Sequence, residues 1–548
     1  MRNIILNISV LVMMSGLTTM TFAQEKNPAT FSVIHHQLPV LVNKKHNPVM
    51  TIAIDAAPGV VLRIDRLMLD FTGTSRISDL RAVRIFRFGP KLAFDTTAMV
   101  GIAERPSLKQ EIYIDSSVTG AVRLWVSLEL APKTDLLHVF RIACKSITTG
   151  NGVLTAATTV GGITLRAGLA IRRHMDDGVH TYRIPGLTTT KQGTLLAVYD
   201  ARRASSRDLQ GDMDITLNRS TDGGRSWQPM QTVLDMKQWG GLPEKFNGVS
   251  DANILADDRT GDIYVAGLWM HGVLDDRGMP LQALDTASKA WNHQWRNKGS
   301  QPGYDVHHTS QFLITKSTDD GKTWGEPVNI TSLKDSAWWL FAPAPGHGIT
   351  LRDGTLVFPT QGRDEAGMSF SNITYSRDGG RSWTVGRPAA KNTTECMAVQ
   401  LADGGIMLNM RHNANRNDTG TTNGRAVAVT YDFGQTWQTH PTSRNALIEP
   451  TCMASIHQHA FTAGGEKKHV MLFSNPNAKT GRFNMTIKAS FDDGLSWPKE
   501  HWLLLDERNS RGYSCITSID ARTIGILYEG SQADMVFQMI PVKVFTGR

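Results

Sequence analysis

The chain has 548 residues and carries 58 Lys and Arg against 50 Asp and Glu, a formal net charge of +8. That length exceeds one ordinary domain, and 41% hydrophobic with 20% charged residues describes globular material rather than a disordered tail. The dilute positive excess has no Lys/Arg block, which excludes a nucleic-acid footprint, and composition also excludes collagen, coiled coil, polytopic membrane protein and disulfide scaffold.

In chain order, Met1-Arg2-Asn3 gives a short positive start, 4–20 is apolar, and Thr21-Phe22-Ala23 offers small residues before Gln24. This pattern predicts a secretory signal peptide over 1–23 and not a membrane span. The chain is therefore expected in the periplasm or outside the cell, without stable membrane insertion.

From 24 to 160 the pattern is that of strands. Val122, Leu124, Val126, Leu128 and Leu130 alternate along one face, predicting a half-buried strand, and 51–55 and 83–87 read likewise. The segment reads as an all-β sandwich, with Thr148 to Gly152 and Gly161-Gly162 punctuating the approach to a second unit at 165–548. Cys144, Cys396, Cys452 and Cys515 lack zinc-type spacing and read as buried free thiols, although one disulfide among them is also compatible. The histidine pairs 35–36, 307–308 and 457/459 match no metal-ligand spacing, so no metal and no cofactor are expected.

The second unit is repetitive. Ser/Thr-x-Asp-x-Gly-x-x-Trp recurs with its Asp at 222, 319, 378, 432 and 492. The steps are about 55–60 residues with one longer, a period that belongs to blades of a propeller. Each copy follows a β-rich run. Its Asp can accept N–H groups of a tight turn, its Gly can take positive φ, and its Trp begins the next strand with a large apolar face. These Asp and Trp residues read as structural. A propeller carries its chemistry on loops at one mouth, contributed by many blades. Arg183 in Tyr182-Arg-Ile-Pro185, Arg411 after the apolar run 406–410, and Arg482 before the last box come from three such places. Arginine forks fit carboxylates bidentately and cannot lose their charge. Spacing alone leaves solvated or structural arginine as the competing reading.

The Tyr-Arg-Ile-Pro motif ahead of five Asp boxes resembles the bacterial exo-α-sialidases (neuraminidases) of glycoside hydrolase family 33, most closely those of Bacteroides type with an N-terminal β-domain. The resemblance covers 165–548 and, more loosely, the sandwich. It implies an all-β fold with a six-bladed propeller and a substrate of sialylated glycans. Carried over by position, it implies that Arg183, Arg411 and Arg482 grip the sialic acid carboxylate, Arg416 and Arg425 being alternatives to Arg411. It further implies Asp208 as general acid/base, Tyr513 as nucleophile, Glu395 as its activating base, and Arg202 and Asp251 as secondary substrate contacts. Asp251 equally suits a turn. Trp291 and Trp295 suit either glycan stacking or loop packing. The chemistry agrees with this set. The substrate bears a carboxylate on its anomeric carbon, so a neutral tyrosine avoids the repulsion that an Asp or Glu nucleophile would meet. A phenol then needs a neighbouring carboxylate to take its proton. The expected activity is retaining hydrolysis of terminal sialic acid by a monomer. A trans-sialidase, or a non-catalytic sialoglycan-binding propeller, is the alternative.

Overall fold

A computed structural model of the protein describes residues 29–88, 94–155, 161–208, 211–241, 244–271 and 299–547. The leader at 1–23, Trp291 and Trp295 lie outside the described residues. Strands dominate; the one α-helix among the described residues is Lys543–Thr546. None of the described helices is long and apolar enough to cross a membrane.

The N-terminal unit stacks two sheets. One runs in the spatial order Ala29–His35, Asn47–Ala56, Ala121–Leu130, Leu80–Phe88 and Met99–Glu104. The other places Lys109–Thr119, Val61–Asp70, Val139–Thr149 and Ile163–Arg172 side by side. Ile52, Ile54, Val122 and Leu124 meet Leu67, Leu69 and Ile142 in one apolar core. Ala121–Leu130 differs from the expected half-buried strand, because its second face is covered too. Trp125 on that face packs 5.5 Å from Phe88 and 5.8 Å from Phe94. Glu129 is paired with Arg84 at 2.5 Å. Central position in the sheet, with aromatic neighbours above it, overrides the polar half of the alternation. Thr149 and Gly152 face each other across a hairpin turn within this unit.

The second unit is a propeller. Its antiparallel arrays follow one another along the chain. Thr181–Thr189, Leu195–Arg202, Met213–Ser220 and Gln231–Leu234 form the first. Asn247–Ala256, Ile263–His271, Gln311–Ser317 and Val328–Asn329 form the second. Leu340–Pro343, Leu356–Arg363, Ser369–Ser376 and Thr384–Val385 come next, then Thr393–Gln400, Ile406–His412, Ala426–Thr430 and Gln438–Thr439. Ser455–Ala463, Glu466–Pro476, Met485–Ser490 and Trp502–Asp506 follow. The last array is Ser514–Asp520, Thr523–Tyr528 and Met535–Pro541, completed by Ile163–Arg172 from upstream of the first. That strand serves both units: Ile163 to Arg166 pair with Val139 to Ile142, and Leu169 to Arg172 with Met535 to Phe537.

The Asp boxes are turns locked by their own side chains. In the first, Asp222 Oδ1 accepts from Ser220 Oγ at 2.8 Å and Ser226 N at 3.0 Å, while Oδ2 accepts from Ser226 Oγ at 2.6 Å. Asp319, Asp378, Asp432 and Asp492 repeat these bonds. Gly380 shows why glycine is needed: φ is +75° and a Cβ would meet the Tyr264 ring of the preceding array at 2.6 Å. The box tryptophans lie just before the following strand rather than inside it: Trp383 precedes Thr384–Val385, packing 5.1 Å from Phe358. The box residue before Gly321, Asp320, ties two blades together. It is buried and accepts from Thr190 and Thr194, each at 2.6 Å, and from Arg219 Nη2 at 3.0 Å. All four cysteines are buried and free.

Candidate active site

Irregularities in the first strands of three blades put functional groups at the mouth. Pairing slips between Arg183 and Gly186, between Ser250 and Asn253, and between Thr393 and Cys396. Arg183, Asp251 and Glu395 sit at these bulges, which bend a strand and re-aim its side chains. Ile184 at φ +61° and Asp251 at φ +59° hold backbone conformations that a non-glycine residue adopts only when its surroundings enforce them.

Tyr513 is the centre of one cluster. It lies just before Ser514–Asp520, buried, with its hydroxyl donating to Glu395 Oε1. Glu395 Oε2 accepts from Arg411 Nη1, and the same nitrogen lies 3.1 Å from the Tyr513 hydroxyl. Arg183 and Arg482 stand 5.3 and 5.5 Å from the centroid of the Tyr513 ring. Burial, with the Glu395 charge adding to it, pushes the phenol well above its ordinary value; Arg411 and Arg482 act in the opposite sense. At rest Tyr513 is therefore a neutral phenol hydrogen-bonded to Glu395.

The arginines are held in different ways. Arg183 Nε donates to Glu529 Oε1 at 2.5 Å, and that carboxylate also accepts from Ile184 N at 3.0 Å and Tyr513 N at 2.9 Å. Burial opposes the Arg183 charge, but Glu529 outweighs it and raises the guanidinium above its usual range. For Glu529 too burial loses to Arg183 and the N–H donors, and the carboxyl is lowered. Arg482 is aimed by main-chain oxygens, Arg511 O at 2.8 Å and Thr451 O at 3.4 Å. Arg411 Nε is buried without a hydrogen-bond partner among the described residues, so this arginine keeps unused donor capacity. Arg425, the alternative to Arg411, is buried on Glu449 at 2.6 Å and on Asn409, and makes no hydrogen bond to Tyr513 among the described residues.

Asp208, on the loop after Leu195–Arg202, belongs to a second cluster. Its side chain is 60% exposed and accepts from Arg202 Nη2 at 2.7 Å. Asp251 is buried and accepts from Gln361 at 3.0 Å. Burial first, then the charges of Glu395, Asp208 and Asp200, raise its carboxyl well above the usual range, which places it between the two clusters electrostatically. Asp208 makes no hydrogen bond to the Tyr513 cluster among the described residues. Glu529 was not singled out from the sequence; its only signal is a lone acid ending the apolar run 523–528. Asp200, beneath Arg202, was missed likewise.

Comparison with known proteins finds relatives for both units. Residues 29–99 match the N-terminal domain of BNR-repeat neuraminidase, and residues 184–494 match the BNR repeat-like domain. A sialidase of Bacteroides fragilis (strain YCH46) is 38% identical over 94% of this chain and 95% of its own length. The chain belongs to the bacterial sialidases. A solved Hadza microbial sialidase superposes with a TM-score of 0.82 at 34% identity, covering 94% of this chain and 99% of that one. The intramolecular trans-sialidase of Ruminococcus gnavus shares the fold, with a TM-score of 0.54 at 17% identity over 69% of this chain and 98% of its own. Sialidase kinship extends through both units of the chain.

Proposed function

We propose that the protein is a retaining exo-α-sialidase that releases terminal sialic acid from glycoconjugates through a tyrosyl-linked intermediate. The observation that carries this is the Tyr513–Glu395 pair with Arg183, Arg411 and Arg482 gathered around the phenol. The three guanidinium groups supply the carboxylate grip. In the first displacement the Tyr513 oxygen attacks the anomeric carbon while Glu395 takes the phenolic proton. The glycosidic C–O bond breaks, and its oxygen leaves with the proton of Asp208. In the second, Asp208 takes a proton from water, the water oxygen attacks the same carbon, and the bond to Tyr513 breaks as Glu395 returns the proton. Two inversions retain configuration. Arg202 and Asp251 then serve the rest of the sugar.

The same reading includes export behind the 1–23 leader, a sandwich at 24–160, and a six-bladed catalytic propeller at 165–548 acting as a monomer on sialylated glycans. Incubation with a fluorogenic α-sialoside, following free sialic acid, is the test. Turnover between about pH 5 and 7 is expected, the range in which a carboxyl acid and a carboxylate base coexist; its absence overturns the hydrolase assignment.

A further inference from the structure

The turn after Val40–Leu41, the loop after Trp502–Asp506 and the loop ahead of Met535–Pro541 meet where the two units join. They enclose a cleft of about 290 Å³, small for a ligand site and suited to a single sugar ring. Lys44, Lys45 and His46 line it from the N-terminal unit, Arg508 and Gln532 from the propeller, and Phe94 gives it an apolar wall. None of these belongs to the Tyr513 cluster, and no acid is among the lining residues.

The cations here are unmatched. Arg508 lies over the Trp125 ring, 5.5 Å from its centroid, and its guanidinium makes no hydrogen bond or ion pair among the described residues. The acids beside it are engaged elsewhere. Buried Asp506 accepts from Ser531 N and Oγ, each at 2.9 Å, and Glu507 accepts from His36 Nδ1 at 2.9 Å and Gln37 N at 3.1 Å. Burial lowers the Arg508 guanidinium although both acids pull the other way. Lys45 is exposed and has no ion-pair partner among the described residues. Lys44 Nζ donates only to the neutral Gln532 Oε1, at 2.8 Å, and Gln532 Nε2 donates to Pro39 O at 2.8 Å. Burial first, then Arg173 and Arg508, lower Lys44 to about 8. His46 Nδ1 is buried without a hydrogen-bond partner among the described residues. Positive groups thus crowd one cleft with donors to spare, an arrangement that an oxyanion would relieve.

We propose that this cleft is a second binding site, for an acidic sugar: Arg508, Lys44 and Lys45 hold its carboxylate or sulfate, and Phe94 takes the apolar face of the ring. The guanidinium fork fits either oxyanion bidentately, the lysines add point charge, and an aromatic wall accepts the ring. The loop from Arg508 to Tyr513 can span at most about 18 Å. A glycan branch held in the cleft therefore keeps its other branches beside the catalytic mouth, which raises avidity for glycans with several acidic ends. The site stands whether or not Tyr513 is the nucleophile.

The test is calorimetric titration of the full chain, at low salt, with three sugars: a hydrolysis-resistant S-linked α-sialyl-lactose, 3′-sulfo-lactose and lactose. The expected result is binding of the sialoside, the sulfated sugar or both at a site that is lost in Arg508→Ala and in Lys45→Glu and that ignores lactose. Whichever acidic sugar binds there identifies the oxyanion. Lys45 is exposed, so its variant carries the test if Arg508→Ala unsettles the packing on Trp125. Titrations of parent and variants that superpose for both acidic sugars, or equal binding of lactose, overturn the proposal. As a second readout, KM for a mucin with clustered sialic acids should rise about fivefold in both variants, while kcat/KM for a single aryl α-sialoside changes less than about twofold. An unchanged mucin KM overturns the role in holding substrate. Failure of the parent to turn over the aryl α-sialoside would sink the hydrolase reading and leave the binding result standing.

Discussion

Arg183 and Glu529, 346 residues apart in sequence, share a buried ion pair through Nε and Oε1 at 2.5 Å. The first blade and the last thereby aim one guanidinium together, and the same carboxylate fixes the backbone nitrogen of Tyr513. One group, 2% exposed, thus positions both Arg183 and the backbone of Tyr513. Glu529→Ala leaves a buried cation unpaired, which costs about 3–5 kcal/mol. A lowered Tm is expected, with KM for an α-sialoside rising about tenfold as Arg183 loses its aim. Arg183→Ala should raise KM more than it lowers kcat. An unchanged KM in both would remove Arg183 from substrate binding.

Tyr513→Phe removes only the hydroxyl that donates to Glu395. The fold should persist, because the ring still fills its place among the arginines, while kcat falls by about 10²-fold or more. Circular dichroism and steady-state turnover on an aryl α-sialoside check the two halves. Full activity in this variant would mean that another group attacks the anomeric carbon.

The Asp boxes bear on acid stability rather than catalysis. Hydrogen bonds from Thr436 and Thr430 lower Asp432 from the model-peptide value of 3.8 to about 2, and Asp222, Asp319, Asp378 and Asp492 are lowered for the same reason. A carboxyl depressed by folding stabilises above its unfolded value and loses that contribution as pH falls through the folded one. The Tm should therefore decline between about pH 4 and pH 2. Asp432→Asn should make that decline shallower while lowering the Tm at pH 6. An acid slope identical to that of the parent would contradict the assignment.

Asp320 offers a contrast, because its bonds to Arg219, Thr190 and Thr194 join two blades away from Tyr513. Asp320→Ala strands a buried arginine and two hydroxyls, a loss of about 3–5 kcal/mol. At 25 °C its kcat and KM should stay within about twofold of the parent. Thermal melts and kinetics on one preparation decide it, and a large change in KM would link this blade joint to the site.

The fold was legible because its signals are local and repeated. A Ser, an Asp and a Gly at fixed offsets suffice to build each box, so five copies announce a propeller without tertiary information. Alternation likewise revealed the N-terminal strands, although it under-read Ala121–Leu130, whose second face is buried by aromatic residues distant in sequence. The candidate site was read from the sequence only through family resemblance. Nothing local separates Arg411, which faces Tyr513, from Arg425, which is sealed on Glu449. Glu529 escaped notice because its contacts to Arg183 and to the Tyr513 backbone exist only between strands: it ends an apolar run, where a single acid resembles any strand-end charge. Bulges are similarly invisible, since the slip at Arg183 is a property of its pairing with the next strand.

The strand Ile163–Arg172 has a consequence for how the molecule is made. Gln538 on the closing strand reaches Ala167 across 371 residues of sequence. During synthesis that half of the strand emerges early and waits for its partner almost to the end of translation, while its other half is already engaged with Val139–Thr149. The N-terminal unit thus holds one side of the ring's clasp in register until the final hairpin arrives, as a template for late closure. It follows that the two units should melt in a single calorimetric transition, and that excision of the first should leave the last blade with an unpaired, aggregation-prone edge.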